Sequence, residues 1–187
     1  GPAQCVVYPE DQNELSTLLK YAYDNKIPAI FIGSGSNLLV WDGGFNGFVI
    51  SLRKTFKKLS ISPHSSIIVQ SGVMLGTMVK EAIQKQICGL ESLIGVPGTV
   101  GGALIMNAGA FGREISTYFK EAKTLNLKGD IKIYSKQDVQ FSYRHSTFPV
   151  DEILIEATFK CKKGKSDKIL KDRKIASQGR KSTQPLK

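Results

Sequence analysis

At 187 residues the chain is long enough for one ordinary domain or two small ones, and 41% hydrophobic with 22% charged residues is a soluble globular composition. Three scattered cysteines and two histidines argue against a disulfide framework or a structural zinc site and suit a reducing compartment. The net charge of +10 is concentrated in residues 160–187, which hold eleven basic and two acidic residues, and the opening residues contain no signal-peptide pattern.

Residues 1–52 predict a compact βαββ unit. The segment VVY indicates a strand, and a helix is expected from about Asp11 to Asn25, with Asp11 as N-cap and Glu14 three residues further on. IPAIFI is an apolar strand that leads through a turn of small residues into a second apolar segment, and FNGFVISL is a further strand. We assign residues 1–52 to a first lobe.

The turn GSGSNLLV, Gly33–Val40, has two interpretations. Small residues after a strand let backbone N–H groups approach an anion, and the serine hydroxyls add donors. A tight turn between strands is the simpler alternative. The segment is not the dinucleotide fingerprint, because Leu38 stands where the third glycine is required, and it lacks the lysine of a P-loop.

Residues 53–160 predict a second lobe. SIIVQSG alternates like a strand, and MLGTMVKEAIQKQI predicts a helix with its apolar residues on one face. A hairpin is expected around Lys128-Gly129-Asp130, and ILIEATFKCK is a further strand. The pattern indicates an α+β protein of two small lobes, followed by a basic connecting segment, residues 161–187.

The segment GVPGTVGGALIMNAGAFG, residues 95–112, holds six of the chain's 18 glycines and lies in an uncharged run. A membrane helix is disfavoured by the glycines, the proline and the lack of a flanking aromatic belt or basic cluster. A plain core would need the side chains that glycine lacks. We therefore expect this backbone to contact a flat or phosphorylated ligand and, together with Gly33–Val40, to clamp one long anionic cofactor.

The basic tail, residues 160–187, could form a nucleic-acid site, a site for one phosphorylated small molecule, or a solvated and partly helical segment. It contains no interleaved aromatic residue on which a base could stack. We favour the solvated segment and expect no nucleic-acid partner.

Three segments carry a family resemblance: FIGSGSNLLVWDGGFNGFVI, GLESLIGVPGTVGGALIMNAGAFG and FSYRHSTF, in this order. Over essentially its whole length the chain closely resembles the UDP-N-acetylenolpyruvoylglucosamine reductase family, flavoproteins of bacterial peptidoglycan synthesis. The resemblance implies the vanillyl-alcohol-oxidase-like (PCMH-type) FAD-binding fold, in which two α+β lobes hold FAD and a third domain, starting near the end of this chain, holds the substrate. It further implies a cytoplasmic bacterial enzyme, which we expect to be a monomer without membrane contact.

The resemblance places FAD between the two glycine-rich segments. Gly33–Leu38 would wrap the pyrophosphate with backbone amides, and Gly95–Gly102 would contact the flavin and the diphosphate from the second lobe. Related flavoproteins often bond the flavin covalently through a histidine in the first glycine-rich loop. This chain has Asn37 and no nucleophile there, so we predict non-covalent FAD. The candidate cofactor-binding residues are Gly33, Ser34, Gly35, Ser36, Asn37, Leu38, Gly95, Val96, Pro97, Gly98, Thr99, Gly101, Gly102, Asn107 and Gly109.

Tyr143-Arg144-His145-Ser146 matches the family's Y-R-x-S motif, which makes Arg144 the candidate catalytic residue. In the implied reaction NADPH reduces FAD, and a hydride then passes to the enolpyruvyl group of UDP-N-acetylglucosamine enolpyruvate, with no metal. A guanidinium beside the substrate carboxylate would stabilise the developing negative charge. Taken alone, an arginine here would more simply form a surface ion pair. The candidate substrate-binding residues are Tyr143, Arg144, Arg180 and Gln184.

The family completes its site with a serine that protonates the intermediate and a glutamate that assists the arginine. The serine motif would follow Gln184-Pro185-Leu186, and the usual start of the first lobe would precede Gly1. We therefore expect the chain as given to bind FAD without turning over substrate. Two alternatives remain: a non-catalytic FAD-binding fragment, and an oxidase of the same fold, which Arg144 and the non-covalent loop disfavour.

Overall fold

A computed structural model describes residues 1–183 of the chain, which form two main β-sheets, three two-stranded β-pairs and four α-helices. The helices are α1 (Gln12–Asp24), α2 (Leu75–Gln84), α3 (Val100–Ile105) and α4 (Ser166–Thr183). The strands are β1 (Ala3–Val7), β2 (Ala29–Ile32), β3 (Phe45–Ser51), β4 (Leu59–Ile61), β5 (Ser66–Gln70), β6 (Ile87–Cys88), β7 (Gly109–Ala110), β8 (Arg113–Glu114), β9 (Phe119–Asn126), β10 (Ile131–Ser135), β11 (Phe141–Ser142), β12 (His145–Ser146), β13 (Glu152–Lys160) and β14 (Lys162–Lys163).

The first sheet is parallel, with strand order β1-β3-β2. Helix α1 begins where the sequence predicts it, because the Asp11 carboxylate accepts hydrogen bonds from the N–H groups of Asn13 and Glu14 at 2.8 and 2.9 Å. The Glu14 carboxylate reaches back to the N–H of Glu10 at 2.6 Å. This βαββ unit confirms the predicted order of elements, and its parallel strands end together at one edge of the sheet.

The second sheet is antiparallel, with order β10-β9-β13-β5-β4. The hairpin of β9 and β10 confirms the turn expected around Gly129, and β13 confirms the strand predicted from ILIEATFKCK. Helix α2 buries Leu75, Met78 and Val79, as its helical spacing predicted. Its apolar face joins the larger of two hydrophobic clusters, which fills the second lobe.

The smaller hydrophobic cluster lies where the two sheets meet. Leu15 and Leu19 of α1 and Ile50 of β3 are fully buried there beside Ile153 of β13. Because this core draws on both lobes, it fixes the edge of the parallel sheet against the start of β13. The assignment of residues 1–52, 53–160 and 161–187 to separate units stays a prediction.

Two elements of the structure were not predicted from the sequence. The stretch 95–112 contains the six-residue helix α3, which the glycines obscure, and the polar region after β10 contains the short hairpin of β11 and β12. Residues 166–183 of the basic tail form α4, which confirms the helical part predicted for this segment. Among the described residues, no helix combines the length and the apolar character needed to cross a membrane.

Candidate cofactor-binding site

A cleft of about 390 Å³ lies between the two glycine-rich segments. All six residues of Gly33–Leu38 line it from the first lobe. Seven of the residues proposed from the second lobe line it as well: Val96, Pro97, Gly98, Thr99, Gly101, Gly102 and Gly109. The structure therefore brings together the two segments that the sequence suggests as the two sides of a clamp.

The first glycine-rich loop leaves the carboxyl end of β2 at Gly33. A Cβ atom at this position would lie 2.5 Å from Thr99 Oγ1, so only glycine lets the two loops approach this closely. Ser51 Oγ, at the end of β3, donates a hydrogen bond to the Gly33 carbonyl at 3.2 Å. The hydroxyls of Ser34 and Ser36 lie 3.2 Å apart, and both residues line the cleft. The loop is thus anchored at the sheet edge and supplies neutral donors.

The second glycine-rich loop is fixed by its own backbone bonds. The Gly101 N–H donates to the Ser71 carbonyl at 3.0 Å, just beyond β5. Gly98 has a φ of +125°, a conformation that residues with a side chain rarely adopt. Thr99 is buried, and its Oγ1 accepts a hydrogen bond from the Gly102 N–H at 3.4 Å, which caps α3.

The chemistry of this cleft fits a flavin dinucleotide. Close-set glycine backbones and hydroxyls suit a diphosphate, and apolar walls from residues such as Ile105 and Leu154 suit ring systems. Three charged residues line the cleft: Arg53, Arg144 and Glu152. Among the described residues, no group of histidine, cysteine and carboxylate side chains is arranged to hold a metal ion.

Arg144 lies at the edge of the cleft in the two-residue turn between β11 and β12. Its backbone adopts a left-handed φ of +57°, and its Nη2 donates a hydrogen bond to the Gly109 carbonyl at 3.0 Å. The guanidinium carbon lies 5.0 Å from the centroid of the Tyr143 ring. Tyr143 itself is 81% exposed and does not line the cleft.

Two buried side chains hold this hairpin against the end of α3. Ser146 Oγ donates to the Ile105 carbonyl at 2.6 Å, and Asn107 Nδ2 donates to the Ser142 carbonyl at 2.9 Å. Asn107 is fully buried behind the cleft wall, where its Nδ2 also donates to Glu114 Oε2 at 2.8 Å. Asn107 therefore positions the hairpin in this structure rather than lining the cleft.

Replacing Ser146 by alanine should loosen the hairpin that carries Arg144. Loss of the buried hydrogen bond leaves the Ile105 carbonyl unpaired and should lower the free energy of unfolding by about 1–2 kcal/mol. Ser142→Ala is the matched control, because the Ser142 side chain is exposed and only its backbone carbonyl is used. Thermal unfolding of both variants measures the difference, and an equal loss in the two would contradict this role for Ser146.

The lining of the cleft also includes a buried carboxylate that was not predicted from the sequence. Glu152, at the start of β13, accepts hydrogen bonds from Thr124 Oγ1 at 2.6 Å, Lys132 Nζ at 2.7 Å and Tyr134 Oη at 3.1 Å. Burial alone would raise the pKa of Glu152, but these hydrogen bonds outweigh it and hold the pKa below its usual value. No pattern within one strand reveals this network, since its partners come from β9 and β10.

Two further candidate residues, Gly95 and Arg180, lie outside the cleft lining. Gly95 is next to Arg180 of α4, because a Cβ atom at Gly95 would lie 3.2 Å from the Arg180 Cδ and Nε atoms. The Arg180 guanidinium also lies 5.9 Å from the centroid of the Phe111 ring, and partial burial lowers its pKa. Arg180 therefore packs against the back of the second glycine-rich segment, and Gln184 lies outside the described residues.

Comparisons with known proteins agree with this geometry. Residues 3–134 match the family of the FAD binding domain. The chain is 38% identical, over all 187 residues, to UDP-N-acetylenolpyruvoylglucosamine reductase of Streptococcus uberis, and covers 61% of that protein. The chain thus spans about three fifths of the length of this curated relative.

Two solved structures place the fold. The crystal structure of UDP-N-acetylenolpyruvylglucosamine reductase from Thermus caldophilus matches with a TM-score of 0.84 at 30% identity, over 100% of this chain and 65% of that one. A 6-hydroxy-D-nicotine oxidase from Arthrobacter nicotinovorans matches with a TM-score of 0.63 at 19% identity, over 84% of this chain and 36% of that one, which shows the fold alone. The chain therefore belongs to the FAD binding domain family, with the vanillyl-alcohol-oxidase-like (PCMH-type) fold, and resembles UDP-N-acetylenolpyruvoylglucosamine reductases along its whole length.

Proposed function

We propose that the protein is an FAD-dependent reductase of peptidoglycan synthesis, which reduces UDP-N-acetylglucosamine enolpyruvate to UDP-N-acetylmuramate with NADPH as hydride donor. The observation that carries the proposal is the cleft itself, since both glycine-rich segments and Arg144 face it. Similarity to the reductases over all 187 residues supports the substrate class. Bound FAD would supply the hydride chemistry, taking a hydride from NADPH and passing it to the enolpyruvyl double bond.

In this proposal the two glycine-rich loops bind FAD, and Arg144 stabilises the negative charge that develops on the substrate carboxylate. The backbone N–H groups and hydroxyls of Gly33–Leu38 would hold the diphosphate, and the backbone of Gly95–Gly102 would contact the cofactor from the second lobe. The N–H groups of Val100, Gly101 and Gly102 donate within the protein and fix the shape of that second segment. A guanidinium has five N–H donors, and the bond to the Gly109 carbonyl uses one of them, so a pair remains for the substrate carboxylate. Such a fork strengthens as negative charge develops on that carboxylate, which lowers the barrier rather than merely binding the substrate.

The hairpin of β11 and β12 positions the guanidinium of Arg144. Its two strands are held by Ser146 and Asn107, and both bonds lead to the end of α3, which also lines the cleft. The same element therefore fixes the cofactor wall and the catalytic arginine. Tyr143, Arg180 and Gln184 are proposed as substrate-binding residues from the family resemblance, since Tyr143 and Arg180 do not line the cleft itself.

We also propose that FAD is bound without a covalent bond. The loop position where a histidine would attach the flavin is Asn37, whose amide is no nucleophile. Acid precipitation of the purified, flavin-loaded protein should release the yellow chromophore into the supernatant. Its visible absorption spectrum there is the measurement.

Flavin that remains in the pellet would overturn the non-covalent assignment. A folded, colourless protein that takes up no added FAD would overturn the cofactor assignment itself, and circular dichroism reports whether the protein is folded. As partners we propose the UDP-sugar substrate and NADPH, with no nucleic acid and no membrane, for a monomeric enzyme of the bacterial cytoplasm.

A further inference from the structure

We propose that Arg53 is a further cofactor-binding residue, whose guanidinium contacts the diphosphate of the bound dinucleotide. This inference rests on the proposed FAD function and names a residue that neither glycine-rich segment contains. Arg53 lies just beyond β3 and lines the cleft. The sequence offered a weak signal for it: a cation directly after a strand of the first lobe.

The pairing of β2 with β3 brings the segment that carries Arg53 close to the start of the first glycine-rich loop. β2 and β3 are parallel, and Ile32 pairs with Ser51 at their carboxyl ends. Beyond these ends, β2 leads into the loop that contains Ser34, and β3 leads into the turn that contains Arg53. Ligands of parallel sheets bind outside the carboxyl ends of the strands, which is where these two residues lie.

Ser51 connects the two segments directly. Its hydroxyl donates to the Gly33 carbonyl at 3.2 Å and lies 3.5 Å from the backbone nitrogen of Arg53. The backbone that carries Arg53 is therefore held against the same loop whose hydroxyls face the cleft. A side chain leaving this point is well placed to reach an anion held by Ser34 and Ser36.

The partners of the charged side chains in the cleft also favour Arg53 as the residue that contacts an anion. Glu152 is already bonded to Lys132, and Arg144 donates to the Gly109 carbonyl beside the ring of Tyr143. Within residues 1–183, the Arg53 side chain makes no hydrogen bond or ion pair. The loops supply neutral donors to a doubly charged diphosphate, and a free guanidinium beside them supplies the missing positive charge.

The test is FAD affinity at low and high ionic strength, measured by titration of flavin fluorescence. Arg53→Gln should weaken FAD binding about tenfold at low salt, the loss expected for one charge-assisted hydrogen bond. Arg53→Lys should recover part of this loss, because lysine keeps the charge without the planar fork. The affinities of wild type and Arg53→Gln should converge as salt screens the contact.

Lys54→Gln is the matched control, since it removes the same charge one residue further on. Lys54 lies outside the cleft lining, with its Nζ 3.8 Å from the centroid of the Tyr8 ring. Equal losses of FAD affinity in Arg53→Gln and Lys54→Gln, or no loss in Arg53→Gln, would overturn the role of Arg53 alone. A folded wild-type protein that binds no FAD would overturn the proposed function together with it.

Discussion

In a form of the protein extended past Lys187 to include the substrate-binding domain, replacement of Arg144 by lysine is expected to lower the rate of enolpyruvyl reduction by about 10²–10³-fold, the usual effect of removing one donor that stabilises transition-state charge. Lysine keeps the positive charge but offers no planar pair of N–H donors. The loss of rate therefore measures the contribution of the paired guanidinium N–H groups. Reduction of FAD by NADPH should proceed unchanged, because no negative charge develops on the substrate carboxylate in that step. Stopped-flow absorbance of the flavin follows the two half-reactions separately.

Two observations separate this role from a structural one. Arg144 is exposed, and within the described residues its side chain donates a hydrogen bond to the Gly109 carbonyl alone, so the lysine variant should keep the thermal stability of the wild type. Arg173→Lys is the matched control, because Arg173 is exposed on α4 and lies outside the cleft lining. If Arg144→Lys slowed both half-reactions equally, its loss would reflect a displaced hairpin or cofactor, and Arg144 would not be the catalytic residue.

Local patterns predicted much of the fold because the elements concerned are locally determined. Helix α1 carries its own N-cap in Asp11, and α2 places its apolar residues at helical spacing. The hairpin of β9 and β10 turns at Gly129, which has a φ of +79°. In each case the residues that fix the element lie within a few positions of one another.

Only part of the site could be predicted from the sequence, because the residues that form it come from distant parts of the chain. The sequence marked Gly33 and Thr99 as members of two small-residue loops, but their contact depends on the packing of two sheets. Helix α3 was missed because glycines at 101 and 102 disfavour a helix locally, whereas tertiary bonds such as Gly101 N–H to Ser71 stabilise it here. Pairings across the fold decide which residues of a glycine-rich segment face a ligand.

Glu152 could not be predicted from a local pattern either, since its partners Tyr134, Lys132 and Thr124 lie 18, 20 and 28 residues away on other strands. We expect Glu152→Ala to lower the free energy of unfolding by about 2–3 kcal/mol near neutral pH, because it leaves the buried Thr124 hydroxyl without its acceptor. For a domain of this size that is a fall of about 4–12 °C in Tm. The Lys132 side chain is 50% exposed. Water can therefore solvate its ammonium group after the substitution, which limits the loss of stability.

Glu156→Ala is the matched control for this prediction. Glu156 lies on the same strand and its carboxylate is also 2.7 Å from a lysine Nζ, that of Lys123, but this pair lies on the more exposed face of the sheet. Its removal should cost about 0–1 kcal/mol. Equal destabilisation by the two substitutions would show that the buried network adds nothing beyond a surface ion pair.

The pH dependence of stability tests the charge on Glu152 separately from its shape. Because its folded-state pKa lies below the ordinary value of 4.5, the stabilisation is fully present above that value and is lost as pH falls through the folded-state pKa. Glu152→Gln keeps the shape but cannot ionise, so the Tm gap between wild type and this variant should be constant near neutral pH and shrink below about pH 4.5. The melting temperatures of both proteins across the acid range measure this gap. A gap that stayed constant into acid would mean that Glu152 is held neutral by burial, and that the hydrogen bonds from Lys132, Thr124 and Tyr134 do not favour its charged form.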